Sequence, residues 1–239
     1  MSLHLPLSAR LAWWTTAWLR GTEVTDHVLD AVTDGDLLHL VDGPAGRVPM
    51  LELLREARSS GATGAGLALP VEGDLLGLGG PRALNEAALE VGEAVVLGSL
   101  AAVPEVVGEV VLWRVLPASP RQLPDVGEAD RALRAALVDA ANALAGLDVA
   151  RWRPEAADLL MNLRHRPAMV APAGTPARCA DLAARSLQGW ALVDVALQDD
   201  GGAVSASEIE ARRDALRPLE RASRRALVAA CSPEVWPPE

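Results

Sequence analysis

The sequence predicts an α+β protein: a small antiparallel or mixed sheet with flanking helices, followed by an all-α helical bundle. Three observations carry this. Between residues 66 and 116, the Val-rich runs GLALPV, LEVGEAVVLG and GEVVLWRVL are separated by Gly and Pro, the pattern of short strands and tight turns. Before them, and after a Pro-rich stretch at 116–127, apolar residues recur at helical spacing. The core alphabet is Leu, Val, Ala and Trp, with no Phe, no Tyr and Ile209 as the single Ile, and it leans helical because Ala and Leu are strong helix formers. The 239 residues leave room for one large domain or two ordinary ones. The expected divisions are an α+β region at 1–118, a Pro-rich linker at 119–127, a bundle at 128–232 and a loose tail at 233–239.

In chain order, SARLAWWTTAWLRG (8–21) reads as a helix with Ser8 as cap, Leu11, Trp14 and Trp18 on one face, and Gly21 as stop. TEVTDHVLDAVTDG (22–35) places Val24, Val28 and Val32 in helical register, LLHLV (37–41) is a short strand, and VPMLELLREARSSG (48–61) is a helix. EGDLLGLGGPR (72–82) reads as a hairpin; it lacks the glycine spacing of phosphate loops. After the linker, EADRALRAALVDAANALAGL (128–147) repeats Leu133, Leu137, Ala140, Leu144 and Leu147. RPEAADLLMNLR (153–164) has Pro154 in its first turn, and TPARCADLAARSLQGWALVDVALQ (175–198) has Thr175 as cap. In SASEIEARRDALRPLERASRRALVAACS (205–232), Pro218 either kinks the helix or opens a new one. Consecutive helices with short connections imply a bundle.

All 22 basic residues are Arg, and with 32 acidic residues the net charge is −10. That balance argues against binding nucleic acid through the whole surface and suits cationic partners. Cys179 and Cys231 have no partner at metal-ligand spacing and read as buried thiols of a reducing, cytoplasmic environment. No apolar run reaches membrane-spanning length. Leu11–Leu19 is short and lacks a cleavage site, so it reads as neither a signal peptide nor a membrane anchor.

The stretch LQDDGGAVSASEI (197–209) resembles a degenerate EF-hand loop. With Gly202 at the sixth position, Asp199 falls third, Val204 eighth and Glu208 twelfth, leaving Asp199 and Glu208 as candidate calcium ligands. The first and fifth positions are Leu197 and Gly201, which offer no side-chain oxygen. The same residues also fit an ion-free helix–loop–helix, with Ser205 and Glu208 spaced as a capping box. The longer stretch DDGGAVSASEIEARRDALRPLERASRRALVAACS is similar to the C-terminal region of an uncharacterised protein family of high-GC Gram-positive bacteria. The absence of Lys, Phe and Tyr agrees with GC-driven codon usage. The resemblance implies no activity and no catalytic residues.

Four arginines, Arg213, Arg217, Arg221 and Arg225, recur every four residues and form one stripe on a continuous helix. With Arg212 and Arg224 they outnumber Glu208, Glu210, Asp214 and Glu220, so residues 205–231 carry +2 (six minus four). Arg151 and Arg153 flank Trp152 at a helix start, where an anion or acidic partner would be welcome. The acidic counterpart is 22–42: Glu23, Asp26, Asp30, Asp34, Asp36 and Asp42 occur there with His27 and His39, the other candidate metal ligands. Their spacing matches no metal signature. Nothing resembles a nucleophile elbow, and a Walker site is impossible without Lys.

The expectation is a non-enzymatic adaptor or regulatory protein, needing no cofactor and docking a protein partner on Arg213, Arg217, Arg221 and Arg225, with Arg151 and Arg153. The alternative is an enzyme or small-molecule binder with a pocket between the halves, using Asp26, His27, Asp30 and His39.

Overall fold

The computed structural model describes residues 4–33, 37–43, 46–146, 169–198 and 206–237. The class is α+β: one mixed six-stranded sheet with flanking helices, followed by long helices. Helices α1 (Leu7–Leu19) and α2 (Thr25–Thr33) precede strands β1 (Leu38–Gly43) and β2 (Gly46–Pro49). Helix α3 (Met50–Ser59), β3 (Gly66–Ala68) and α4 (Arg82–Val91) follow. A meander, β4 (Ala94–Leu97), β5 (Leu100–Val107) and β6 (Val110–Pro117), completes the sheet. Helices α5 (Val126–Gly146), α6 (Ala177–Gln198) and α7 (Ala206–Ala230) form the bundle.

The strand order is β2-β1-β6-β5-β4-β3. Among the described strands only β1 and β6 run parallel, with Leu38, Leu40 and Asp42 beside Val110, Leu112 and Arg114. The meander turns are two residues long because Leu97 pairs Leu100 and Val107 pairs Val110. Gly98 at φ 65° and Gly108 at φ 61° supply the left-handed backbone such hairpins require.

Three stretches depart from the sequence reading. LEVGEAVVLG is not one strand: its first three residues end α4, Gly92 at φ 89° stops the helix, and Ala94–Leu97 forms β4. Helix α4 exists because Leu84, Ala87 and Ala88 share a buried face. Strand β5 is not among the strands read from the sequence, and it contains Pro104. It is tolerated because β4 pairs β5 only over Leu100–Ala102, so Pro104 has β6 as its neighbour and no second ladder to feed. Ser8 does not cap α1. Pro6 holds that position, and the backbone N–H of Ser8 donates at 2.7 Å to Oε2 of Glu93, in the turn between α4 and β4.

One sheet face packs on α1, α2 and α3 through Val41, Val95, Leu97, Val111 and Trp113. The opposite face meets α4 through Val96, Ala101 and Val103. The bundle core joins α5, α6 and α7 to Ala9 and Trp13 of α1 and to Leu67, Leu69 and Leu76 around β3. Helix α1 therefore belongs to two cores. Trp14 and Trp18 face the sheet and Trp13 faces the bundle, as expected for a helix apolar on all sides. The three tryptophans are interior, supplying the bulk that Phe and Tyr supply elsewhere.

The stretch 119–127 lies along the body. Ser119 N–H donates to Gly80 O, and Val126 is buried. The tail is held as far as Trp236. Pro233–Val235 forms a 3-10 turn, and the Trp236 indole donates to Ala230 O at 2.9 Å.

Candidate functional site

Helix α7 carries the predicted arginines, and it runs from Ala206 to Ala230 without a break at Pro218. Its inner face is fixed by Leu216, Leu219, Ala226 and Leu227, all fully buried. That register turns Arg213, Arg217 and Arg221 outward, all exposed, while Arg225 is half-buried. Arg217 reaches Asp214 at 3.0 Å, with both side chains mostly in solvent. Such a pair contributes at most about 1 kcal/mol. Among the described residues no ion pair engages Arg213 or Arg221. Three outward guanidiniums over two helical turns span about 12 Å.

Arg224 behaves differently from its neighbours. It points inward, donating to Leu69 O at 2.7 Å and to Asp74 Oδ2 at 2.8 Å. Arg121, in the stretch read as a linker, is its counterpart: Nη1 donates to the carbonyls of Leu67 and Gly77, and Nη2 meets Glu234 at 2.6 Å. Between them the two arginines grip the segment from Leu67 to Gly77, which follows the edge strand β3. Cys231 O accepts from Leu67 N–H at that same edge. The edge is thereby covered, which removes it as a template for another strand. A third buried charge, Asp130 on α5, sits between Arg185 at 2.6 Å and Arg134 at 2.8 Å. Burial pushes its carboxyl up, but the two guanidiniums outweigh that and hold it below the usual range.

None of these interior arginines could be picked from sequence. Arg224 follows Ser223 and precedes Arg225 in a run of charges, and only its phase relative to Leu216 and Leu227 hints at an inward position. Arg121 has no periodic context at all.

The polar groups proposed for a pocket do not converge. His27 stands on the exposed side of α2, bonded to Glu23 at 2.7 Å and edge-on to Trp14. Glu23 is held low by the backbone N–H of Ala173 and by His27. Asp26 and Asp30 are exposed on the same helix. His39 lies inside, where its Nδ1 accepts from the Trp113 indole at 3.3 Å. Burial, then the charge of Arg10, pushes its pKa down. Among the described residues no three His, Cys, Asp or Glu side chains group as metal ligands. Arg151, Arg153 and Asp199 lie outside the described residues, as does the loop 199–205; Glu208 falls in the first turn of α7. No described helix is long and apolar enough to cross a membrane.

Comparison with known proteins gives a consistent answer along the chain. Residues 8–126 match the model of the N-terminal domain of Rv1486c-like proteins, and residues 127–228 match that of their C-terminal domain. The boundary between the two falls where α5 begins. "Uncharacterized protein Rv1486c" of Mycobacterium tuberculosis H37Rv is 30% identical over 293 aligned positions, covering 96% of this chain and 98% of that protein. "Uncharacterized protein MT1533" of the CDC 1551 strain has the same identity and coverage. No solved structure matches the chain. The sequence similarity expected from the C-terminal region thus extends over both halves, and the chain belongs to the Rv1486c-like family of high-GC bacteria.

Proposed function

We propose that the chain is a non-enzymatic adaptor or regulatory protein that docks an acidic protein segment on α7. One observation carries this reading. Arg213, Arg217 and Arg221 are presented outward at four-residue spacing on a single helix whose opposite face is locked in the core. A row of guanidiniums on a fixed helix suits carboxylates, because each offers a planar fork of donors that can meet a carboxylate with two hydrogen bonds. The row belongs to a molecule of net charge −10, so an acidic partner is steered to this helix and repelled elsewhere.

The test is affinity purification of the tagged chain from source cells at low and high salt, with nuclease present. It is run beside the Arg213→Ala, Arg217→Ala, Arg221→Ala triple variant. A discrete partner released by salt and lost from the triple variant supports the reading. A partner retained by the triple variant at unchanged affinity refutes it, and retention that depends on nucleic acid moves the assignment to nucleic-acid binding.

A further inference from the structure

Four parts of the chain meet at the last residues of α7. Ala230 O accepts two indole N–H groups, from Trp13 of α1 at 3.1 Å and from Trp236 of the tail at 2.9 Å. One residue on, Cys231 O accepts from Leu67 N–H of the edge strand β3. Helix α1, the sheet, the bundle and the tail are thus joined at two consecutive carbonyls. The Cys231 side chain lies in the bundle core, fully buried, and the first turn of α6 places Cys179, also fully buried, in the same core. Both are free thiols.

Helix register sets the two thiols at one level. Ser186 Oγ of α6 donates to Ser223 O of α7, and Gly189 faces Ser223 and Leu219. Moving forward on α6 therefore moves back on α7, so the two helices run antiparallel. A Cβ on Gly189 would run into Ser223 Oγ, so the backbones come close at this crossing. From Ser186 back to Cys179 is seven residues, and from Ser223 on to Cys231 is eight. Cys231 N–H still donates to Leu227 O, so the helical rise continues through it. At 1.5 Å per residue the two paths are about 10.5 Å and about 12 Å in the same direction. Burial, then the charge of Cys179, pushes the Cys231 thiol up, so the pair is near enough for one to act on the other.

We infer that Cys179 and Cys231 are a redox pair that closes to a disulfide under oxidising conditions and staples the start of α6 to the end of α7. The oxidant is a low-molecular-weight disulfide, here oxidised glutathione. The folded chain seals both sulfurs from solvent, so exchange enters through opening of the α7 end, and helix ends are where local opening starts. In the opened state the Cys231 thiolate attacks one sulfur of oxidised glutathione and displaces a glutathione thiolate. A close-packed core has no room for the attached glutathione. Cys179 then attacks Cys231 Sγ and expels the second glutathione. The two protein thiols lose two electrons and two protons, and the oxidant takes up both as two thiols. Folding gives the exchange its direction. It holds the second thiol beside the first, so the effective concentration of one at the other exceeds that in the unfolded chain. By the same factor, the closed bond stabilises the fold. The outward arginines of α7 take no part in this device.

Equilibration of the full chain in glutathione buffers of graded redox ratio tests this. One series is run in urea. The other is run under folding conditions, reached by refolding from both the reduced and the oxidised unfolded chain. Peptide mass mapping after acid quenching and alkylation reads the bond. The folded chain is expected to hold the Cys179 to Cys231 disulfide at a glutathione ratio roughly tenfold or more closer to reduced than the unfolded chain requires. The oxidised chain is expected to have the higher urea midpoint. Cys179→Ala and Cys231→Ala, each with its fold confirmed by circular dichroism, should show a midpoint that the glutathione ratio does not move. A folded chain that closes the bond no more readily than the unfolded one overturns the inference. So does an oxidised chain that unfolds at lower urea than the reduced one, or oxidation that yields covalent dimers in place of the bond within one chain.

Discussion

Arg224 and Asp74 stand 150 residues apart in the chain and form an ion pair of 2.8 Å, with the arginine side chain only 7% exposed. The same guanidinium donates to Leu69 O. The last turns of α7 are thus bonded directly to the segment that follows β3, and the helical part and the sheet share this contact as well as a core. Replacing Arg224 with Ala strands a carboxylate and a buried carbonyl, at an expected cost of about 2–4 kcal/mol. Arg225→Ala, one residue on and half-buried, should cost less than about 1 kcal/mol. Urea unfolding of the two variants measures the contrast; equal costs would remove the interior role assigned to Arg224.

Gly66 and Arg121 test the second grip. A Cβ built on Gly66 would lie 1.9 Å from Arg121 Nη2 and 2.9 Å from Glu234 Oε2. Gly66→Ala therefore expels the guanidinium from the carbonyls of Leu67 and Gly77 and frees Glu234. The expected loss is about 2–3 kcal/mol, with faster proteolysis after residue 230. In an Arg121→Ala background the same substitution should cost much less, because the obstructing group is already gone. A double-mutant cycle in urea reads that coupling.

His39 gives the fold a pH dependence whose sign follows from its environment. Burial and Arg10 depress its pKa below the ordinary 6.5. The unfolded chain then binds a proton that the folded chain refuses. Stability is full above about pH 6.5 and falls as pH drops from there toward the depressed value, by at most about 1.4 kcal/mol per pH unit for this one group. Protonation also removes the acceptor used by the Trp113 indole. Glu93 acts with the opposite sign: burial raises its carboxyl above the ordinary 4.5, so its contribution declines as pH rises from about 4.5 through the raised value. His39→Asn keeps an acceptor without the titration. Subtracting its stability-versus-pH curve from the wild type's should leave the acid-side loss alone; superimposable curves would mean His39 does not titrate differently on folding.

The two thiols are predicted to be inert in the native state. Burial raises Cys179 to about 11 and Cys231 well above its ordinary value, with Cys179 adding to the latter. Both are fully buried, and the thiolate is the reactive form. An aromatic disulfide reagent at neutral pH should label neither until urea opens the chain, and then both. Rapid labelling of the folded protein would contradict the packing at the α6 start and the α7 end.

Much of the architecture could be read from residues alone because its signals are local. Apolar spacing in 8–21, 48–61, 128–147 and 175–198 marks α1, α3, α5 and α6 within a few residues, since a helix shows its buried face within two turns. The Val-rich runs and their glycines locate β3, β4 and β6 for the same reason. The arginine row of α7 was also legible, because four-residue spacing maps directly onto one helical stripe. Which of the arginines face inward was decided by tertiary packing. Arg224 differs from Arg225 only in which side of α7 meets Leu69, and Arg121 acquires its role from carbonyls brought in from residues 67 and 77. The separation of His27 from His39 is likewise a property of the assembled chain: α2 keeps one outside and β1 turns the other inward. The sequence by itself determined the fold class, the long helices, three of the strands and the outward placing of Arg213, Arg217 and Arg221, because propensity and periodicity act over a few residues. Tertiary structure alone decided helix α4, the parallel pairing of β1 with β6 and the interior arginines, because each depends on surfaces made by segments distant in the chain.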